Sequence, residues 1–336
     1  MRPLDLPARL AQPDRSATVL LDGGTATELE ADGHVLADAL WSARLLVDDP
    51  AAVRAVHQRF LAAGAEVVTT ASYQLAATSL AAAGHDPADA DALLHRSVTL
   101  ARDAVEAFVA DGGSTRDGSR PLVAASVGPH GAVLADGREY RGGYGLSRRE
   151  LARFHAPRVA ALVGAGADVL AIETVPSADE LAALASVVAG VDVPVYASVT
   201  LGPDGTTTAE GQPLAAAFAP LLARDEVVAI GVNCCPPELV LPALRALQGT
   251  GHPLIAKPNV GRRWDARTRA WVDPGPPSRD VGTQGVDADT GGSDTEVVPD
   301  PRDWVSAGAR LVGGCCGTGP DRIRELAARL GSYVGP

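Results

Sequence analysis

The sequence contains no apolar run approaching about 18 residues, so no membrane-spanning helix is expected. Its opening stretch, MRPLDLPARLAQPDR, lacks the apolar core of a signal peptide, and no export signal is expected there. Lysine is almost missing: Lys257 is the single one among 29 basic residues. Against 41 acidic residues the formal net charge is −12, and no local basic patch offsets it. A field of that sign disfavours nucleic acid and anionic lipid, so neither is expected as a partner. Cysteine is scarce and clustered, in two adjacent pairs, Cys234–Cys235 and Cys315–Cys316. That is no framework for a secreted disulfide scaffold; in a large chain it points to metal or catalysis, in the cytoplasm. Arginine in place of lysine, with much Ala, Gly and Pro, fits the coding of a GC-rich bacterial genome. Several nucleotide and hydrolase signatures are absent too. There is no P-loop, no G-x-S-x-G and no H-E-x-x-H, and the early turn Asp22-Gly23-Gly24-Thr25-Ala26-Thr27 does not fit G-x-G-x-x-G.

What is present is a rhythm of short apolar runs and amphipathic helical segments. The runs are Thr18–Leu21, Glu66–Thr70, Leu122–Val127, Val169–Ile172, Val193–Val199, Val227–Val232, Pro253–Ala256 and Arg310–Val312. Continuous apolar runs suit parallel strands buried on both faces. Between them, Asp49-Pro50 starts a helix carrying Val53, Val56 and Phe60, and another spans about 86–112. Ser147 with Glu150 and Ser177 with Glu180 each fit a capping box, and further helices fit 213–224, 237–248 and 319–330. His57, His95 and His155 fall within helical segments and are expected to be surface or internally satisfied side chains. Eight strands alternating with helices predict an α/β fold, a (β/α)8 TIM-type barrel, forming one domain over residues 1–336. The polar, Gly- and Pro-rich stretch within 274–300 breaks the rhythm, and residues 276–298 read as a flexible insertion between the seventh and eighth strands.

Barrels of this kind place their active sites at the C-terminal ends of the strands. Those ends here carry Asp22-Gly23, Thr70, Ser126, Glu173, Thr200, Asn233-Cys234, Asn259 and Cys315-Cys316. Strands six and eight are near neighbours in a barrel, so Cys234 comes within reach of Cys315 and Cys316, with Gly313-Gly314 supplying a sharp turn. Three thiolates with an open fourth position match a catalytic zinc site. Buried inert thiols, or one disulfide between the pairs, are the alternatives. Cys235 is left over and could face the barrel wall as a small apolar residue. Asp22 and Glu173 could act as an acid/base pair or hold the amino group of a substrate.

These residues sit in segments that resemble the homocysteine S-methyltransferases. The segments are LLDGGTATELE (20–30), GAEVVTTASYQ (64–74), AASVGPHGA (124–132), GADVLAIETVPS (166–177), GVNCCPPE (231–238), KPNVG (257–261) and LVGGCCGTGPDRI (311–323). The likeness covers roughly 17–275 and 301–330. It implies one Zn2+ per chain held by Cys234, Cys315 and Cys316, and a homocysteine site around Asp22, Gly23, Glu173 and Asn233. It also implies homocysteine and a sulfonium methyl donor as partners, with no catalytic residue needed beyond the metal-activated substrate thiolate. Segments 36–50 and 129–145 resemble the S-methylmethionine-dependent branch, with S-adenosylmethionine as a second candidate donor. Tyr140 and Tyr144 in the latter segment could contact the sulfonium or simply pack the loop. The chain departs from the usual Thr-Thr-Pro after GGCCG, having Thr318-Gly319-Pro320. A zinc-dependent hydrolase or lyase on the same barrel is the competing activity; it would need a metal-bound water with Glu173 as base, for which three thiolates make a poor Lewis acid. Oligomeric state has no signature in the sequence.

Residues 276–298 lack the apolar groups that offset ordering entropy. Replacing them with a short Gly/Ser linker should leave the melting temperature and the bound zinc unchanged. A large fall in melting temperature would show that the segment packs against the barrel.

Overall fold

The computed structural model describes residues 5–11, 18–36, 40–260, 263–265, 270–272 and 299–331. Eight strands form a parallel ring: β1 (Val19–Leu20), β2 (Val67–Thr69), β3 (Leu122–Val127), β4 (Val169–Val175), β5 (Val195–Val199), β6 (Val227–Asn233), β7 (Leu254–Lys257) and β10 (Ala309–Val312). They pair in the order β1-β10-β7-β6-β5-β4-β3-β2. A parallel bridge between Leu21 and Val67 closes the ring, flanked by bonds from Asp22 N to Val67 O and from Glu66 N to Leu20 O. The expected (β/α)8 barrel is therefore the observed fold. A short antiparallel pair, β8 (Arg263–Asp265) with β9 (Ala270–Val272), follows β7. The proposed insertion at 276–298 lies outside the described residues. Among the described residues no helix is long and apolar enough to cross a membrane.

Alternation along the strands sorts their side chains into two cores. Val19, Leu21, Leu122, Ala124, Val169, Ala171 and Tyr196 share an inner cluster, while Leu20, Val123, Ala125, Leu170 and Ile172 belong to the layer between strands and helices. A short helix, Leu6–Leu10, adds Leu6 and Leu10 to the inner cluster. Its Arg9 donates to Ser119 Oγ and Arg120 O just ahead of β3, so this helix plugs the N-terminal end of the barrel. The opposite end is left for chemistry.

Caps set the helix starts. Asp49 accepts from Ala52 N with Pro50 in the first turn, and Ser147 with Glu150 forms the expected capping box. Ser177 caps its helix through Glu180 N, but the return half of the box is missing. The Glu180 carboxylate accepts instead from His130 N (2.6 Å) and pairs with His155 Nε2 (2.9 Å), both away from its own helix. Beside it, the buried Arg158 donates to the carbonyls of Tyr73, Leu75 and Gly128, tying together the chain beyond β2 and β3. His155 is thus satisfied, as expected. His57 is not: it is fully buried and neither ring nitrogen has a hydrogen-bond partner among the described residues. Position on a helix does not reveal which face a histidine occupies when the residues around it are mostly alanine and valine.

Burial lowers the His57 pKa to about 4. In an unfolded chain the same imidazole titrates near 6.5. Between those values the unfolded state holds more protons, so folding stability falls as pH drops from about 6.5 toward 4, by on the order of 3 kcal/mol from this group. His57→Leu should remove that part of the acid sensitivity and leave stability at pH 8 equal or higher, because no hydrogen bond is lost. Urea melts from pH 8 to pH 4 check this; an unchanged slope in the variant would contradict it.

Candidate active site at the C-terminal mouth of the barrel

β6 ends at Asn233, and Cys234 then takes a left-handed backbone with φ 50° while its N–H bonds to Lys257 O. This bend puts the Cys234 thiol on the wall of a cavity at the barrel mouth and leaves Cys235 buried among core side chains. From β10, the chain crosses the end of β1 at very short range. A Cβ on Gly313 would lie 2.7 Å from Leu21 Cβ, and one on Gly23 would lie 2.0 Å from Thr318 O. Only glycine permits this approach, and it delivers Cys315 and Cys316 to the same wall. Cys315 N donates to Pro258 O, and Val260 N to Cys316 O, which locks the turn against the end of β7.

The sulfurs of Cys234 and Cys316 are 3.6 Å apart, and all three Sγ atoms of Cys234, Cys315 and Cys316 lie within 4.8 Å of one another. Sulfurs sharing a tetrahedral ion at a metal–sulfur distance of about 2.3 Å stand roughly 3.8 Å apart, so the trio fits a thiolate-bound zinc. No disulfide joins them. The neighbouring Cys234 and Cys316 thiols, with the Lys257 charge nearby, hold the Cys315 thiol well below the ordinary range. Burial pushes the Cys235 thiol up, as suits an inert wall residue. The Tyr140 hydroxyl stands 3.3 Å from Cys234 Sγ.

A buried ion cluster adjoins the thiols. Lys257 Nζ lies 3.2 Å from Glu173 Oε2 and 3.6 Å from Asp22 Oδ1. Asp22 also accepts from Thr69 N (2.6 Å) and Thr69 Oγ1 (2.8 Å), and Glu173 from Ser126 Oγ (2.5 Å). Burial pushes the Asp22 and Glu173 pKa values up, with Lys257 pulling against it. For Lys257 burial pulls down, and the two carboxylates outweigh it, leaving the ammonium held well above its ordinary value. The cluster thus sets two acidic groups against one ammonium.

Asn233 uses its amide inside the wall. Its oxygen accepts from Thr174 N and Ser198 Oγ, and its nitrogen donates to Thr174 Oγ1. This holds Thr174, whose φ is 62°, at an irregularity in the β4–β5 register. Among the described residues, the three non-glycine residues with left-handed backbone are Ala135, Thr174 and Cys234, and all three line the cavity. Strain gathered at one cavity is a mark of a functional site.

Of the residues singled out in the sequence, Cys234, Cys315, Cys316, Gly23, Glu173 and Asn233 all border the cavity. Asp22 does not; it is fully buried beneath it, engaged by Thr69 and Lys257. Of the two tyrosines, Tyr140 faces the cavity, whereas Tyr144 packs on His130 with ring centroids 5.2 Å apart. Lys257 and Thr174 were missed. Lys257 did carry a signal, being the single lysine of the chain at a strand end.

A (β/α)8 barrel with three converging thiols and a buried charge cluster at its mouth is an enzyme scaffold with a thiol-lined centre. The family model described as homocysteine S-methyltransferase matches residues 19–330. The homocysteine S-methyltransferase of Escherichia coli (strain K12) is 42% identical, over 94% of this chain and 96% of its own length. Homocysteine S-methyltransferase YbgG of Bacillus subtilis (strain 168) is 38% identical, over 94% and 95%. The crystal structure of the Escherichia coli homocysteine methyltransferase MmuM in its metallated form superposes with a TM-score of 0.78 at 41% identity, covering 93% of this chain and 96% of that one. The chain belongs to the homocysteine S-methyltransferase family, and it is a methyltransferase acting on homocysteine.

Lys257 is the keystone of the charge cluster. Lys257→Met should strand two buried carboxylates and cost about 3–5 kcal/mol of stability at neutral pH. Urea denaturation checks this; a loss under about 1 kcal/mol would show that the carboxylates do not depend on the lysine.

Proposed function

We propose that the enzyme transfers a methyl group from S-methylmethionine to homocysteine at one zinc ion held by Cys234, Cys315 and Cys316, with Cys235 outside the ligand set. The observation that carries this reading is the convergence of three sulfurs on one cavity wall at metal-sharing distance. The similar Escherichia coli enzyme is known in a metallated form, which supports it. Zinc held by Cys234, Cys315 and Cys316 would supply the charge that keeps the homocysteine sulfur a thiolate, its proton passing to solvent, where a free thiol at pH 7 is only a few per cent ionised.

The protein's own residues then bind and orient. The cluster of Asp22, Glu173 and Lys257 receives the homocysteine ammonium, with Glu173 facing it and Asp22 acting from beneath through Lys257. Gly23 borders the homocysteine site and permits the close crossing by the β10 end, and Asn233 holds Thr174 and the strand end in place. Tyr140 hydrogen-bonds to Cys234 and fixes its orientation. In the transfer, a bond forms between the homocysteine sulfur and the methyl carbon as the bond from that carbon to the donor sulfonium breaks. The donor leaves as a neutral thioether, so no general base is required and alignment of the two sulfurs is the main demand. A sulfonium supplies an electrophilic methyl, and segment 129–145 resembles the S-methylmethionine branch. The four free thiols support a reducing compartment, the cytoplasm, as the site of action.

Zinc-loaded enzyme supplied with homocysteine and S-methylmethionine should form two methionines per turnover. S-Adenosylmethionine should react more slowly, and betaine, with a poorer leaving group, not at all. Transfer from betaine but not from S-methylmethionine would overturn the donor assignment; methionine formation undiminished after zinc removal would overturn the metal assignment.

A further inference from the structure

Two side chains that border the cavity each hold a buried acceptor oxygen with no donor among the described residues. Glu139 is 6% exposed, and its Oε2 is buried with no hydrogen-bond partner among the described residues. Gln74 is 8% exposed, and its Oε1 is in the same condition. Both side chains border the cavity that holds the three thiols. Glu173, the other glutamate on that wall, is occupied by Ser126 and Lys257; the Glu139 carboxylate has only its own backbone N–H among the described residues, and Asp136 and Arg141 act on it as charges in its own loop. Burial pushes the Glu139 carboxyl up to about 7. The loop is fixed in place. Gly131 leaves room for Glu139, since a Cβ there would lie 2.5 Å from Glu139 N, and Gly143 N is tied to Glu210 Oε1 at 2.7 Å.

Buried acceptors without donors are unfavourable unless a ligand satisfies them. The two oxygens call for N–H groups and for positive charge. A sulfonium brings charge but no hydrogen to donate; an α-ammonium brings both. The homocysteine ammonium already has the cluster of Asp22, Lys257 and Glu173. Glu139 borders the same cavity as Tyr140 and the three thiols, so a group bound at Glu139 shares the cavity with the reacting sulfur.

We infer that Glu139 and Gln74 bind the α-ammonium of the methyl donor and so select an amino-acid sulfonium over donors that lack N–H groups. This rests on S-methylmethionine being the donor. Neither residue touches the transferred methyl in this assignment; they set donor affinity and position.

The test is steady-state kinetics of zinc-loaded enzyme with each substrate varied in turn. Glu139→Gln should raise KM for S-methylmethionine by about tenfold or more and leave KM for homocysteine within about twofold, as loss of a charge-assisted contact requires. Gln74→Leu should shift the same KM in the same direction by a smaller factor. A KM for the donor left at the wild-type value in both variants, or a rise confined to homocysteine, would overturn the inference. Both variants should melt within about 5 °C of the wild type, since no hydrogen bond to another residue is lost; a larger fall would show that Glu139 or Gln74 serves a protein partner and would equally overturn it. Absence of transfer from S-methylmethionine by the unsubstituted enzyme would overturn the donor reading, and the inference with it.

Discussion

Three sulfurs can share one ion only if three chain turns are pressed against each other, and the crossing of the β10 end over the β1 end does this. At Gly313 and Gly23 the two backbones approach so closely that a single methyl group on either would collide with its neighbour. Gly314 N bonds to Asp22 O, and Gly24 N to Thr318 O, across the same contact. The end of β7 supports it from the other side through Pro258 and Val260. Cys234 meets this assembly from β6 by adopting a left-handed conformation that separates its thiol from that of its neighbour Cys235. The barrel supplies the circular arrangement of strand ends; these contacts convert it into a site.

The second constraint is electrostatic. Carboxylates and thiolates repel one another, and burial penalises each of them. Lys257 sits between Asp22 and Glu173 and offsets both, and its charge also favours the thiolate at Cys315. Two acidic groups to one lysine suit homocysteine, which brings an ammonium group. Hydrogen bonds from Thr69, Ser126 and Asn233 satisfy the wall groups one by one. Glu139 and Gln74 stand out because that pattern stops at them.

Much of this was legible in the residues. Eight apolar runs became eight barrel strands with ends displaced by a few residues at most, because strands buried on both faces leave an unbroken apolar mark. The cysteine pairs were visible as candidates through their position after the sixth and eighth runs. Other features had no residue-type signal. Thr174 and Cys234 are poor formers of left-handed backbone, so nothing in their identity announces it. Glu180 matched a capping box, yet tertiary partners, His130 N and His155, outcompeted its own helix. Asp22 looked like a wall residue, but Thr69 and Lys257 draw it beneath the cavity. The plug helix Leu6–Leu10 is one and a half turns long, too short for periodicity to register.

The central claim is a three-thiolate metal centre with one open position that the substrate sulfur fills. X-ray absorption at the zinc edge of the full-length enzyme reads the ligand set directly. Without homocysteine, the account predicts three sulfurs at about 2.3 Å and one lighter atom; with homocysteine, it predicts four sulfurs. Four sulfurs before homocysteine is added would mean that Cys235 completes a closed structural site. A first shell unchanged by homocysteine would mean that the substrate thiol never reaches the metal. Either result would contradict the account.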